Sequence, residues 1–312
     1  MHLLALSLVK ATEEAAIASS KWVGRGDSKA ADGAAVKALR SVLSGIEMKG
    51  RVVIGEGERD EAPMLFIGEE VGNGKGLEVD IAVDPLECTD YTAHGRGGAI
   101  SVMAVAPKGH LLHAPDTYMN KLAVGPKAKG AVDLDAPVSE NVKAVARALG
   151  KDVSEVSVLV MDRERNEKFV KEVRGLGARA ILITDGDVAG GISTCVEGSG
   201  VDMLLGIGAA PEGVLAASAI KCLGGELQGR LWFKNDAQRE SALKRGFKDL
   251  DRKLGLEDLV KGNESAFIAT GVTTGPFLQG VHENARETTT QSIVINSKTK
   301  TIQVLNSRRL KQ

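Results

Sequence analysis

"SEVSVLVMDRERNEKFVKEVRGLGARAILITDGD", residues 154–187, decides the fold class. "SVLVM" and "AILIT" are apolar runs of the length of a buried strand, and "NEKFVKEVRGLG" between them carries Phe169, Val170, Val173 and Leu176 at helical spacing. Strand, helix and strand in so short a stretch form a parallel crossover unit. Downstream, "VDMLLGIGA" and "EGVLAASAIKCLG" repeat the alternation, and "ESAFIATGVT" reads as a further strand. From about Gly150 the chain is therefore expected to build a mainly parallel α/β sheet, with its working residues at the carboxyl ends of strands.

Upstream of Gly150 the pattern differs. Residues 3–23 read as a helix, and "GRGDSKAADGAAVKALRSVLSG" as a turn leading into a second helix that Asp32 could cap. "GRVVIGEGERDEAPMLFIGEEVG" reads as a strand, an acidic turn and a short helix. "VDIAVDP" is a strand that breaks at Asp84-Pro85, and "GAISVMAVAPKGHLLHAPDTYMNKLAVGP" gives two or three strands with Gly and Pro turns. The expected division is thus 1–150 and 151–312, both halves α/β.

The bulk numbers narrow the class. A chain of 312 residues, 43% apolar and 26% charged, can bury the cores of about two domains. Forty basic and 41 acidic residues leave a net charge of -1, which argues against nucleic-acid binding and against a polybasic membrane surface. Cys88, Cys195 and Cys222 are too few and too scattered for a disulfide framework, so a reducing cytoplasm is expected. "MHLLALSLV" lacks a basic leader and runs directly into helical sequence, and no stretch reaches about 18 apolar residues.

Acidic residues cluster where the strands stop. Glu56, Glu58 and Asp60 follow "RVVIG", Asp84 and Glu87 follow "DIAV", Asp185 and Asp187 follow "ILIT", and Glu212 follows "LLGIGAAP". Any one of these could be an ordinary solvated loop; several on one chain, each beside Gly or Pro, point to a shared purpose. Carboxylates brought together repel unless a cation intervenes, and hard divalent ions such as Mg²⁺ and Mn²⁺ prefer oxygen ligands. If a helix starts after Pro85, Asp84 and Glu87 share one side of its first turn, and its free N–H groups suit phosphate. Carboxylates, N–H donors and the Thr89 hydroxyl together suggest phosphoryl transfer, with Thr89 positioning a water. Arg163 and Arg165 in "DRERN" could grip a second phosphate or merely solvate a helix, and Tyr118 and Lys121 offer further polar contacts.

Taken together, "KWVGRGD…ADGAAV", "VVIGEGERDEAPMLFIGEEVG", "VDIAVDPLECT", "APDTYMNKLAVGPKAKG", "ITDGDVAG", "GIGAAPEGV" and "ATGVTTG" resemble the class II fructose-1,6-bisphosphatase family of bacteria. "DPLECT" also resembles the D-P-x-[DE]-G-T signature of the lithium-sensitive sugar and inositol phosphatases. The resemblance implies a layered α/β/α/β/α sandwich of the sugar phosphatase type and Mg²⁺- or Mn²⁺-dependent hydrolysis of the 1-phosphate of fructose 1,6-bisphosphate, a gluconeogenic step. It implies metal binding by Asp32, Glu56, Asp84, Glu87 and Glu212, and catalytic roles for Thr89, Asp60 and Glu87. Substrate contacts would come from Glu87, Cys88, Thr89, Tyr118, Arg163, Glu164, Arg165, Asp185, Gly186, Asp187 and Ala209. A cytoplasmic homodimer or homotetramer is implied, with a sugar bisphosphate as partner and neither nucleic acid nor membrane. A related substrate such as sedoheptulose 1,7-bisphosphate, and a catalytically weakened sugar-phosphate sensor, stay open.

The chain departs from the family pattern at three places. Cys88 stands where the family has glycine, Ala209 replaces the second glycine of G-G-A-P-E-G, and Glu164, Arg165 and Asn166 stand against P-R-H. At the first of these a side chain could shift a bound phosphate, or the thiol could serve redox control at a helix start.

Overall fold

The computed structural model describes residues 1–57, 62–244 and 246–311. The chain forms two compact units, Met1–Leu112 with Gly262–Gln312, and His113–Lys261. In chain order the first unit holds helices α1 (His2–Ser20) and α2 (Ser28–Leu43) and strands β1 (Met48–Ile54), β2 (Glu70–Val71) and β3 (Leu77–Glu87). Helix α3 (Thr89–Ala93) and strand β4 (Ile100–Pro107) follow. The second unit holds β5 (Tyr118–Val124), α4 (Val138–Leu149), β6 (Ser157–Met161), α5 (Glu167–Gly175), β7 (Arg179–Ile183) and α6 (Asp187–Ser193). It continues with β8 (Met203–Ala209), α7 (Ala210–Leu223), β9 (Glu226–Trp232), α8 (Asp236–Lys244) and α9 (Leu256–Leu259). The chain then returns to the first unit for β10 (Ala266–Gly271), β11 (His282–Glu283), β12 (Glu287–Asn296) and β13 (Thr301–Leu310).

Mixed sheets and helices give the expected α/β arrangement, consistent with an α/β sandwich. The break does not fall at Gly150. "ESAFIATGVT" forms β10, which lies between β4 and β12 of the first sheet and runs antiparallel to both. β5, upstream of Gly150, belongs to the second sheet instead. An apolar run identifies a strand but does not say which sheet it will join.

In the second unit the strand order is β7-β6-β8-β5-β9. β6 is parallel to β7 and β8, whereas β5 is antiparallel to β8 and β9, so β5 alone opposes the other four. Alternation along the strands decides which helix covers which face. Val158, Val160 and Leu205 pack with Val142 and Val145 of α4 and Phe169 and Val173 of α5. The intervening Leu159 and Leu204 crowd Gly190 of α6, so helices lie on both faces of this sheet.

In the first unit α1 and α2 bury a largely small-residue face. Leu4, Leu8, Ala11 and Ala15 of α1 and Ala31, Ala35, Leu39 and Leu43 of α2 share one core with Val79, Ile81 and Val83 of β3. Alanines let the helix axes approach closely, and Thr12 fixes α1 to the sheet through a 2.8 Å hydroxyl contact with Thr270. Pairing β12 with β13 from Glu287↔Leu310 to Asn296↔Thr301 makes a long hairpin.

Three local expectations are corrected. Asp27, not Asp32, caps α2: its carboxylate accepts the Ala30 N–H at 2.9 Å, which leaves Asp32 one turn inside the helix. Residues 62–69 form bends and turns, not a short helix. β3 does not break at Pro85 but runs on to Glu87, because its pairing with β4 slips from Asp84↔Val102 to Glu87↔Ile100. Three steps on β3 against two on β4 make a bulge, where a residue without an N–H costs no ladder hydrogen bond.

Replacing Asp27 by Ala removes the cap of α2 and should lower stability by about 1 kcal/mol in urea unfolding. An unchanged midpoint would show that the cap contributes nothing.

Candidate active site

In the first unit the expected metal-binding residues come from three elements. Asp32 lies on α2, Glu56 follows β1, and Asp84 lies near the end of β3. Glu56 is placed by a tight return of the chain: its N–H donates to the Leu65 carbonyl at 3.1 Å, and a Cβ on Gly55 would collide with that carbonyl. Asp84 accepts the Leu86 N–H at 3.1 Å across the bulge.

The electrostatics show that these carboxylates are close together. Burial, and then the nearby charges of Asp32 and Asp84, push Glu56 up from its usual 4.5 to about 8. Burial also raises Asp32, against a lowering hydrogen bond with Glu56. Among the described residues no three acidic, histidine or cysteine side chains stand as a ready cage for an ion. The fit therefore rests on donor chemistry, since carboxylate oxygens that repel one another match a hard divalent cation. Asp60 and Glu58 lie outside the described residues.

Glu87 is buried at the end of β3, and Thr89 opens α3. Cys88 between them takes a left-handed conformation, φ 69°, ψ 50°. The glycine of the family pattern would adopt it freely, whereas a side chain there costs about 1–2 kcal/mol. The thiol is buried in the core that contains Val83 and Leu86, an environment that leaves a cysteine unreactive. Burial also pushes the Cys195 thiol of the second unit up to about 11.

In the second unit the expected substrate residues cluster at strand ends. Tyr118 opens β5, meets Trp232 edge-on at 5.7 Å, and carries the Arg165 guanidinium 4.4 Å above its ring. Arg165 Nε also donates to the Ile207 carbonyl at 3.0 Å, so the arginine is held in place before any ligand arrives. Arg163 is exposed and donates to the Thr184 carbonyl at 2.6 Å; Glu164 is exposed beside it. Asp185 accepts the Gly186 N–H at 3.0 Å, and Gly186, at φ 92°, turns the chain from β7 into α6. Asp187, the first residue of α6, is buried and paired with Lys121.

Ala209 has φ -65° and ψ 141°, an ordinary extended conformation, so the alanine in place of glycine costs no strain. Its N–H donates to Glu212 in the first turn of α7 at 3.2 Å. The two glycine replacements thus differ: Ala209 is free of strain, Cys88 is not.

A model of the family described as bacterial fructose-1,6-bisphosphatase, glpX-encoded, matches residues 2–309. The chain belongs to this bacterial fructose-1,6-bisphosphatase family. It is 45% identical over 316 residues to fructose-1,6-bisphosphatase 1 class 2 of Escherichia coli (strain K12), covering 97% of this chain and 94% of that one. It is 42% identical over 332 residues to proteins of two Synechococcus strains, JA-2-3B'a(2-13) and JA-3-3Ab, named D-fructose 1,6-bisphosphatase class 2/sedoheptulose 1,7-bisphosphatase, covering 99% of this chain and 96% of each. Bisphosphatases of this family are phosphoric monoester hydrolases that act on a sugar bisphosphate and are generally metal-dependent. No helix among the described residues is long and apolar enough to cross a membrane.

The sequence does not single out Trp232, and it shows Asn166 only as a departure from the family pattern. Trp232 forms the aromatic wall behind Tyr118, and nothing in its surroundings in the chain announces this. Asn166, which replaces a histidine of the family pattern, is buried and ties the loop after β6 to β8: Nδ2 donates to the Met161 and Ile207 carbonyls, both at 3.1 Å, and Oδ1 accepts the Ile207 N–H at 2.7 Å. It anchors the loop that carries Arg163 and Arg165.

A carboxyl raised from 4.5 to about 8 is uncharged in the fold at pH values where the unfolded chain has already ionised it. In EDTA the melting temperature should therefore fall as pH rises from about 4.5 to about 8, and a divalent cation should remove the fall above neutrality. A melting temperature in EDTA that rises across this window would show that the three carboxylates do not burden the fold.

Proposed function

We propose that the chain hydrolyses the 1-phosphate of fructose 1,6-bisphosphate to fructose 6-phosphate and phosphate, with Mg²⁺ or Mn²⁺. The observation that carries the reading is the group of Asp32, Glu56 and Asp84, in which burial first and then the neighbouring carboxylates lift Glu56 to about 8, a burden that a divalent cation would relieve. Asp32, Glu56, Asp84, Glu87 and Glu212 are the proposed cation ligands. When bound, such ions draw charge from phosphate oxygens and lower the pKa of water.

The chain's own groups would do the rest. Thr89, fixed at the first position of α3, would orient the attacking water and relay its proton to a carboxylate. The P–O bond to C1 of the sugar breaks as the water oxygen bonds to phosphorus, and the leaving oxygen takes up a proton. Arg165, held by the Tyr118 face and the Ile207 carbonyl, would bind the second phosphate with little loss of side-chain freedom, joined by the more exposed Arg163. Asp185 and Asp187 would accept hydrogen bonds from sugar hydroxyls. Sedoheptulose 1,7-bisphosphate is the second substrate to examine, because the Synechococcus relatives carry both names.

Phosphate release from fructose 1,6-bisphosphate should require Mg²⁺ or Mn²⁺ and stop in EDTA. Cys88→Gly should remain active, since its backbone already takes the conformation glycine prefers. Asp84→Asn and Glu212→Gln should each lower kcat by at least about 10²-fold with an unchanged circular dichroism spectrum. Near-normal turnover in either would remove that residue from the ligand set, and sugar-phosphate binding with no phosphate release would favour a sensor.

A further inference from the structure

Lys121 projects from the middle of β5 with a side chain only 3% exposed. Buried ammonium groups are rare unless paired, and this one is surrounded by oxygens. It is hydrogen-bonded to Asp187 Oδ2, donates to the Ala209 carbonyl at 2.8 Å, and stands 3.7 Å from Glu212 Oε2. These acceptors belong to the first residue of α6, the end of β8 and the first turn of α7, so one cation joins three segments.

Glycines make room for it. Lys121 lies across from Gly206 on one neighbouring strand and Gly229 on the other, where a Cβ would meet Asn166 and Met119, and the glycines nearest the lysine itself are Gly208 and Gly213. A Cβ on Gly208 would collide with Asp187 Oδ2 and stand 2.9 Å from Lys121 Nζ, and one on Gly213 would lie 3.4 Å from Lys121 Cδ. Asp187 spends one oxygen on the lysine, while its other oxygen, Oδ1, is buried without a hydrogen-bond partner among the described residues. A buried acceptor with no donor among the described residues is open to a hydroxyl supplied by a ligand.

We propose that Lys121 is a positioning residue: by fixing Asp187 Oδ2 against the end of β8 it orients Oδ1 to accept a sugar hydroxyl. Lys121 itself touches no substrate, and the proposal rests on the bisphosphatase reading above. Its effect belongs to binding and so appears in KM more than in kcat.

The test compares wild type, Lys121→Met, Asp187→Asn and the double variant, measuring KM and kcat for fructose 1,6-bisphosphate and, by calorimetry, the dissociation constant of fructose 6-phosphate. Each single change should raise KM and the dissociation constant about tenfold with a smaller change in kcat, and the double should be no worse than the weaker single, because both break one contact. If Asp187→Asn raises KM and Lys121→Met does not, the positioning role is overturned while the bisphosphatase reading stands. If Asp187→Asn leaves KM unchanged, the hydroxyl contact is overturned and the positioning role with it. Absence of phosphate release by wild type would overturn the bisphosphatase reading itself, and calorimetry would still report on the lysine. Should Lys121→Met fail to fold, Gly208→Ala displaces the pair and keeps the lysine; an unchanged KM in that variant overturns the proposal, and a rise of about tenfold supports it.

Discussion

Carboxylates cannot be buried near one another in their charged form without a counter-charge, and both units are organised by that constraint. In the second unit the counter-charge is part of the chain: Lys121 meets Asp187, Glu212 and the Ala209 carbonyl, and Gly208 and Gly213 leave space for it. In the first unit Glu56 is raised by burial and by Asp32 and Asp84, with no basic side chain among the described residues lowering it. One acidic group therefore carries a cation of the chain's own, and the other matches a cation from solution.

The backbone uses one device in both units to present these groups. β3 ends at Glu87, and a left-handed residue, Cys88, turns the chain into α3; after β7, Asp185 is followed by left-handed Gly186, which turns the chain into α6. A residue with positive φ reverses direction within one peptide, so the side chains before and after it are held at a sharp corner. At Gly186 the geometry costs nothing, while at Cys88 it is held against a steric penalty by burial of the side chain in the core.

Much of the fold was legible because it depends on local periodicity. β6, α5, β7, β8 and α7 fall where apolar spacing put them, and among the described acids Glu56, Glu87 and Asp185 lie at or just beyond strand ends. What was misread depended on partners distant in the chain. Pro85 reads as a break, yet a slip in pairing with β4 absorbs it. Asp32 reads as the cap of α2, yet the start of the helix shows that Asp27 serves, which leaves Asp32 to meet Glu56. Asn166 is only a departure from the family pattern in the sequence, and its burial against β8 makes it an anchor.

By itself the sequence determined the α/β class, the strand-end acids and the family, since periodicity, composition and long motifs are properties of contiguous residues. The tertiary structure decided which strands share a sheet, which glycine replacement is strained, and that Lys121 is the cation between Asp187 and Glu212. These depend on distances between residues far apart in the chain, as with the 66 positions that separate Lys121 from Asp187, and no local pattern encodes such a distance.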